Sequence, residues 1–308
     1  MKSYDLLVIG EINPDLIVRG SDIAPEFNQI EKLVEEATLT IGASSVIMAC
    51  GAAKLGLRVA FIGLVGNDFF GQFMLQEMQS CNIDTSACVV DVNLSTGISI
   101  ILSNQYDRAI LTYPGSIPKL NKSHINLDIF QYARHLHMGG YFLLKELRPQ
   151  VPELFRFARE QGLTTSLDTN WDPQEKWGIA EVLPYCDVFL PNENELLNIS
   201  GEKNVDAGLE KMSKQVSTLA VKLGEKGAIA RREGELAVSP ALKVNVIDTV
   251  GAGDSFDAGF IFGWLNSYSL QKTLEIACIC GSLSTQSSGG TSGQASLNDL
   301  ERHGVITE

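Results

Sequence analysis

The sequence has no run of 18 or more apolar residues, so no segment of it reads as a membrane-spanning helix. Positive charge is scarce: 24 Lys and Arg stand against 37 Asp and Glu, for a formal net charge of −13. That balance argues against nucleic acid or an anionic membrane as a partner. The 6 cysteines form no CxxC pair, and Cys278 and Cys280, two apart in an apolar run, have a spacing seldom used for metal. Buried, reduced thiols are expected. The 4 histidines form no ligand motif; His135 and His137 alternate with apolar residues in RHLHMGGYF, which points to one side of a strand. No GxxxxGK[ST] loop occurs, and the glycine-rich GAGDSF lacks the third glycine of a dinucleotide fingerprint. The opening MKSYDLLVIGEINPD has one Lys and an apolar run that stops at Glu11, short of a signal peptide. It reads as a first buried strand, and a cytoplasmic protein is expected.

What is present is an ordinary globular composition, 44% hydrophobic and 20% charged. Strand-like and helix-like segments alternate. Strands are expected at Asp5–Ile9, Val59–Val65, His135–Met138, Thr165–Asp168, Val188–Leu190, Leu219–Leu223 and Ala228–Arg231. Helices are expected at Ser44–Leu55, Phe69–Gln79 behind the cap Asn67-Asp68, Pro149–Gln161, Glu193–Ile199 and Val205–Lys214. This order implies parallel βαβ units under right-handed crossovers, hence an α/β doubly wound, mostly parallel sheet flanked by helices. Two stretches, about 11–40 and 89–114, hold short β-type runs without amphipathic helices. They are read as a small β-sheet lid inserted in one domain that spans 1–308.

The most informative stretch is VIDTVGAGDSFDAGFIFGWL, residues 246–265. A β-type run ends at Asp248-Thr249, a turn follows at Gly251-Ala252-Gly253, and a helix that is apolar nearly all round starts near Asp254. The start of a buried helix, opened by two glycines, leaves N–H groups and the positive end of the helix dipole aimed at one spot, which is an anion site. A carboxylate there is first of all a helix-start partner for the dipole. Beside an anion hole it also has the chemistry to take a hydroxyl proton while N–H groups hold a transferring phosphate.

DTVGAGDSFDAGF resembles, without gaps, the C-terminal signature DTxGAGDxFxxGF of the ribokinase-like (PfkB) carbohydrate kinases. IGASSVIMACGAAKLGLRVAFIGLVGNDFFGQFMLQEM is similar to the family's N-terminal signature, and PNENEL resembles its NxxE motif, all in the family's order. The resemblance implies a ribokinase-like fold and transfer of the γ-phosphoryl group of Mg-ATP to a hydroxyl of a sugar-like small molecule. Asp254 would be the base, and the backbone of Gly251, Ala252, Gly253 and Asp254 the anion hole. Asn192 and Glu195 would organise Mg2+ and phosphate, with Glu195 acting through water; the alternative for Glu195 is a solvated helix-start residue. Lys222, Gly224 and Gly227 in VKLGEKG fall beside the nucleotide, Lys222 as a phosphate contact or a plain surface lysine. Cys280–Gly290 resembles the segment that closes over adenine. Asp248 matches a position that holds a monovalent cation, K+, in some relatives.

On the acceptor side, Asn13 and Asp15 match the family's N-x-D, with an Asn-Pro-Asp turn as the structural alternative. Gly42 matches the first glycine of a GG pair, and Asp168 and Asn170 a strand-end segment near the substrate. Arg108 on the lid is a candidate for an acidic group. Two positions depart from the pattern: Ala43 replaces the second glycine, and Ile47 replaces an asparagine that bonds a sugar hydroxyl in relatives. The acceptor pocket therefore differs from that of a ribokinase. A nucleoside kinase, with Tyr106, Tyr113 or Phe142 as a base platform, and a keto-sugar-acid kinase are the rival acceptor readings. A catalytically silent sugar-binding or regulatory protein is the reading from another class, against which the intact GAGD and NxxE count. Lid strands pair two subunits in some relatives, which makes a homodimer an expectation.

Overall fold

In the computed structural model, residues 2–104 and 107–306 are described. The first strand, β1 (Tyr4–Ile9), explains the run of apolar residues at the start of the sequence. Leu6 and Val8 enter one hydrophobic core while Leu7 and Ile9 enter a second on the opposite face. A strand covered on both faces has no polar side to show.

The chain continues through β2 (Pro14–Arg19), β3 (Glu36–Ile41), α1 (Ser44–Lys54), β4 (Val59–Ile62), β5 (Leu64–Gly66), α2 (Phe69–Ser80), β6 (Ile83–Asp84), β7 (Val89–Asp91), β8 (Ile98–Ser103) and β9 (Arg108–Tyr113). It then runs through β10 (Ala133–Met138), α3 (Val151–Glu160), β11 (Thr164–Leu167), β12 (Val188–Phe189), α4 (Glu193–Ser200), α5 (Val205–Met212) and β13 (Thr218–Lys222). Last come β14 (Ala228–Arg232), β15 (Glu235–Ser239), α6 (Ala252–Leu265), α7 (Leu270–Ser284) and α8 (Leu297–Arg302). Nine strands form the main sheet in the order β15-β14-β13-β12-β11-β10-β1-β4-β6. From β6 to β13 every pairing is parallel; β14 and β15 add an antiparallel edge. Buried residues of α1, α2, α6, α7 and α8 join the core on one face, and those of α3, α4 and α5 the core on the other.

The small sheet has the order β3-β2-β8-β9, with β2 and β8 parallel and both outer pairings antiparallel. Alternation along β2 puts Asp15, Ile17 and Arg19 on one face. The register places Ser99, Ile101 and Ser103 of β8 beside them, and Thr112, Ile110 and Arg108 of β9 beyond.

Several expectations need correction. Val59–Val65 is two strands in different sheets, because the chain breaks at Gly63, where a Cβ would lie 2.5 Å from Ile12 Cδ1; β5 pairs with β7 instead. The segment before Asp248 is not a strand: Val246 and Ile247 are more than half exposed, and the N–H groups of Ile247 and Asp248 bond the Thr285 carbonyl. Ala228–Arg231 returns as a hairpin with β13 rather than as another parallel strand. His135 and His137 both lie in β10, fully buried. His135 contacts the Thr164 and Ser166 hydroxyls at 2.6 and 2.7 Å, and His137 contacts Ser166 at 2.8 Å. All 6 cysteines are free, with Cys81 and Cys88 only partly buried.

Candidate active site

The carboxyl ends of β1, β10, β11, β12 and β13 open on one side of the main sheet, where ligands bind in α/β folds. Above them starts α6. Gly251 is its cap residue, in the left-handed region with φ 74°, and Ala252 is the first helical residue. Asp254 is therefore the third residue of the helix and not its cap. Gly251 is needed for more than its φ: a Cβ there would lie 2.6 Å from Gly290 Cα and 3.0 Å from Ile47 Cγ2. The Ala252 N–H reaches the Thr249 carbonyl at 3.4 Å and the Ser255 N–H the Gly251 carbonyl at 2.9 Å, while the N–H groups of Gly253 and Asp254 between them bond no carbonyl among the described residues. Burial raises the Asp254 carboxyl to about 8, helped by the negative charges of Asp168, Glu11 and Asp15 and opposed by Lys222.

Lys222, at the end of β13, is neither on the surface nor free. Its ammonium donates to Asp168 Oδ2 at 3.0 Å and to the two oxygens of Asp257 at 3.1 and 3.2 Å. Its side chain is 12% exposed, against 5% for Asp168 and 1% for Asp257. Burial works against the charge on Lys222, but the surrounding carboxylates outweigh it and hold the ammonium protonated. Burial also pushes Asp168 up; Lys222, a hydrogen bond from Asp257 and the Asn170 N–H overcome it and leave Asp168 at about 2. Asp257 goes the other way, well above the carboxylate range, first through burial. The three residues thus form a neutral set: an ammonium, a carboxylate and a carboxylic acid whose proton lies toward Asp168. The set underlies the glycine turn, since a Cβ on Gly253 would come 3.6 Å from Lys222 Nζ.

Asn192 and Glu195 cap α4 reciprocally. The Asn192 side chain accepts from the Glu195 N–H, and the Glu195 carboxylate from the Asn192 N–H, each at 2.9 Å. Glu195 is buried, not solvated, and burial together with Asp168 raises it to about 7.

The β1 end and the small sheet close the other side. Asp15 on β2 is 7% exposed. Burial lifts its carboxyl to about 7, while Ser99 and Arg108 pull it back. The Asn13 amide donates to Asp15 Oδ1 at 3.4 Å and to Ser99 Oγ at 3.3 Å. Gly42 makes room for this carboxylate, because a Cβ there would fall 2.2 Å from Asp15 Oδ1. Ala43 takes φ 61° and ψ 119° as the cap residue of α1, a conformation that costs any residue with a Cβ. Its methyl has no capping oxygen, and Glu11 supplies one from the end of β1, accepting from Ser44 Oγ at 2.7 Å and from the Ser45 N–H at 3.2 Å. The Asn170 amide donates to Ser44 Oγ, and the Asn170 N–H bonds Asp168 Oδ1 at 3.0 Å, which ties the two halves of the site together. Ile47 is 3% exposed and fills space between Gly251 and Gly290. Its side chain packs against the anion turn, with Cγ2 3.0 Å from where a Gly251 Cβ would lie. Arg108 is exposed on β9, on the face that carries Asp15.

A family model described as pfkB family carbohydrate kinase matches residues 4–296. The chain belongs to this family. It is an ATP-dependent carbohydrate kinase, a phosphotransferase with an alcohol group as acceptor. A 5-dehydro-2-deoxygluconokinase of Geobacillus thermodenitrificans is 28% identical over 325 residues, covering 98% of this chain and 93% of the relative. A 2-dehydro-3-deoxygluconokinase of Bacillus subtilis is 29% identical over 299 residues, covering 91% and 92%. A structure from E. coli, assigned to ribokinase II and complexed with ATP and Mg2+, superposes with a TM-score of 0.85. It covers 97% of this chain and 98% of its own at 22% identity, a likeness that speaks for the ribokinase-like fold.

The remaining kinase-motif residues lie around the same opening. Gly224 and Gly227 flank a single 3-10 turn after β13. Open space lies beside Gly224, whose carbonyl accepts from the Gly227 N–H at 3.0 Å, whereas a Cβ on Gly227 would fall 2.0 Å from the Ser239 carbonyl. Asp248 meets Arg19 of the small sheet at 3.0 Å. Of the aromatic candidates, Tyr113 is exposed on β9, Phe142 is buried, and Tyr106 lies outside the described residues. Three participants escaped the sequence reading: Glu11, Asp257 and Arg19. Glu11 sits within the quoted GEINPD and Asp257 within the kinase signature, but neither position is fixed by the family pattern.

Proposed function

We propose that the chain transfers the γ-phosphoryl group of Mg-ATP to a hydroxyl of a sugar-like acceptor, with Asp254 as general base. One observation carries this reading: Asp254 stands on the first turn of α6, beside the left-handed Gly251, with its carboxyl raised to about 8 by a buried, acid-lined surround. A base tuned toward neutral pH, next to unbonded helix-start N–H groups, has what in-line transfer requires. Asp15 and Asn13 would grip acceptor hydroxyls, with Gly42 making room for Asp15 and Asp168 and Asn170 bracing the wall. The small sheet would act as a lid on a single kinase domain.

ATP brings most of the ligands that Mg2+ needs. Among the described residues no three His, Cys, Asp or Glu side chains converge as a metal cage. A metal held by phosphates, water and one or two carboxylates requires no such cage. Glu195 and Asn192 fit the water-mediated role, Glu195 as a buried carboxyl that a nearby cation would keep ionised. Mg2+ bound there would neutralise developing charge on the phosphates; the protein's part is to place the acceptor, remove its proton at Asp254 Oδ and hold the phosphoryl oxygens at the Gly251–Asp254 backbone.

Within this reading a keto-deoxy sugar acid is the favoured acceptor class. The two relatives named above act, by their names, on such compounds, and Arg108 is an exposed cation on the face of the small sheet that carries Asp15. The exposed Ile110, Leu111 and Tyr113 of β9 favour pairing of two copies through this sheet, which light scattering would test. Free thiols suit work in the cytoplasm. The test is ADP release from Mg-ATP with a panel of sugars, keto-deoxy sugar acids and nucleosides. Turnover with one acceptor class, abolished by excess chelator, is expected; binding of ATP without turnover on any acceptor would favour a silent binder.

A further inference from the structure

Asp248 is the residue through which the resemblance implies a monovalent cation, and its surroundings do not suit one. Both carboxylate oxygens are engaged. Oδ1 accepts from the Val250 N–H at 3.0 Å, and Oδ2 accepts from the Gly289 N–H at 3.1 Å and from Arg19 Nη2 at 3.0 Å. The same guanidinium nitrogen reaches Ser288 Oγ at 2.5 Å. The pair is largely covered, with side-chain exposures of 28% for Arg19 and 11% for Asp248. A guanidinium carries a permanent charge and arrives on a side chain, so a dissolved ion would have to displace a partner that never leaves the molecule.

We infer that Arg19 is a tethered cation for the anion turn and that the enzyme turns over without potassium. Asp248 holds the two segments that wall the turn: Val250 leads into Gly251, and Gly289 leads into Gly290, which packs on Gly251. Neutralising Asp248 fixes both. Arg19 makes that neutralisation depend on the small sheet, because it shares a face of β2 with Asp15. The acceptor-side carboxylate and the anion turn are thus joined through one strand, and Arg19 is a positioning residue.

This inference rests on the kinase reading, and its test separates the two. Turnover of the wild-type enzyme and Arg19→Met would be followed in KCl and in choline chloride at equal ionic strength, together with the thermal midpoint of each. Wild-type rates should agree within about twofold between the salts. Arg19→Met should lose at least about tenfold in choline, equivalent to about 1.4 kcal/mol, and regain several-fold in KCl. KCl should raise the melting temperature of Arg19→Met and not of the wild type, as a ligand that binds the folded state does. Arg19→Lys should stay indifferent to KCl. Strong activation of the wild type by KCl overturns the inference, as does an Arg19→Met enzyme that ignores KCl in both readouts. A wild type inactive on every acceptor counts against the kinase reading, and the melting temperatures still decide this one.

Discussion

Replacing Lys222 by Met removes the one cation from a buried set of two carboxyl groups. Lys222 Nζ lies 3.0 Å from Asp168 and 3.1 Å from Asp257, and the side chains of both acids are 5% exposed or less. Met matches the length of the lysine stem, so the loss is mainly of charge. Asp168 is the ionised member and would be left without its cation, held only by the Asn170 N–H and Asp257; removing one half of a buried pair costs about 3–5 kcal/mol. Protonation of Asp168 would relieve part of this at low pH, so the upper end of the range is expected above pH 7 and a smaller cost in acid. Asp257→Asn is the contrasting variant. With Asp257 neutral, an amide keeps its shape, a donor toward Asp168 and one of the two oxygens that accept from Lys222, so the cost should stay at about 1.5 kcal/mol, the net worth of one ordinary hydrogen bond. Urea unfolding at pH 7.5, read by fluorescence and circular dichroism, compares the midpoints at an unchanged slope. A Lys222→Met protein within about 1 kcal/mol of wild type would refute the idea that Lys222 neutralises a buried charge. An Asp257→Asn cost equal to that of Lys222→Met would show that Asp257 is ionised.

Three further outcomes follow from the geometry. Ala43→Gly should stabilise the protein by about 1 kcal/mol, because a residue with a Cβ at φ 61° is strained; an unchanged melting temperature would say that the neighbours of Ala43 absorb that strain. The kcat/KM profile, which reports the free enzyme, should rise with pH through an apparent pKa near 8, since Asp254 must lose its proton to act as a base, and a profile flat from pH 6 to 9 would contradict this. Asp5, bonded by Arg58 at 2.9 and 3.0 Å and by Arg134 at 3.1 Å, has its carboxyl held well below the usual range. A lowered carboxyl contributes stability above its unfolded value of 3.8 that fades as pH falls through the folded value. Asp5→Asn should therefore be destabilising at pH 7, and by progressively less in acid below pH 4; an equal loss throughout would rule out the ionic origin.

How much the sequence disclosed follows from how local each feature is. The alternation of strands and helices, the apolar α6 and the turn before it are written in adjacent residues, so the sheet and the place of Asp254 were readable, with an error of a few residues at the start of α6. Glycine turns and caps such as Asn192–Glu195 are equally local. The ion set was not readable, because Lys222 and Asp257 meet only after β13 and α6 have been brought together across 35 positions of chain. The same holds for Arg19 and Asp248, 229 positions apart, and for Ile47, whose burial against Gly290 depends on a loop near the other end of the chain. The sequence left the solvated alternatives for Lys222 and Glu195 open, because both residue types are usually exposed and only tertiary packing reveals that these two are buried. The strand expected before Asp248 failed for a related reason, since β-branched residues favour a strand only where a neighbouring strand is present to pair.

The central claim is that Asp254 takes the acceptor proton in phosphoryl transfer from ATP. The direct test is the ADP release rate of Asp254→Asn beside wild type, with Mg-ATP and the accepted sugar at saturation, on protein whose folding is verified by circular dichroism. A fall in kcat of roughly 10²–10⁴, the usual weight of a general base, is predicted, with ATP binding retained. A variant that keeps more than half of the wild-type rate would contradict the account.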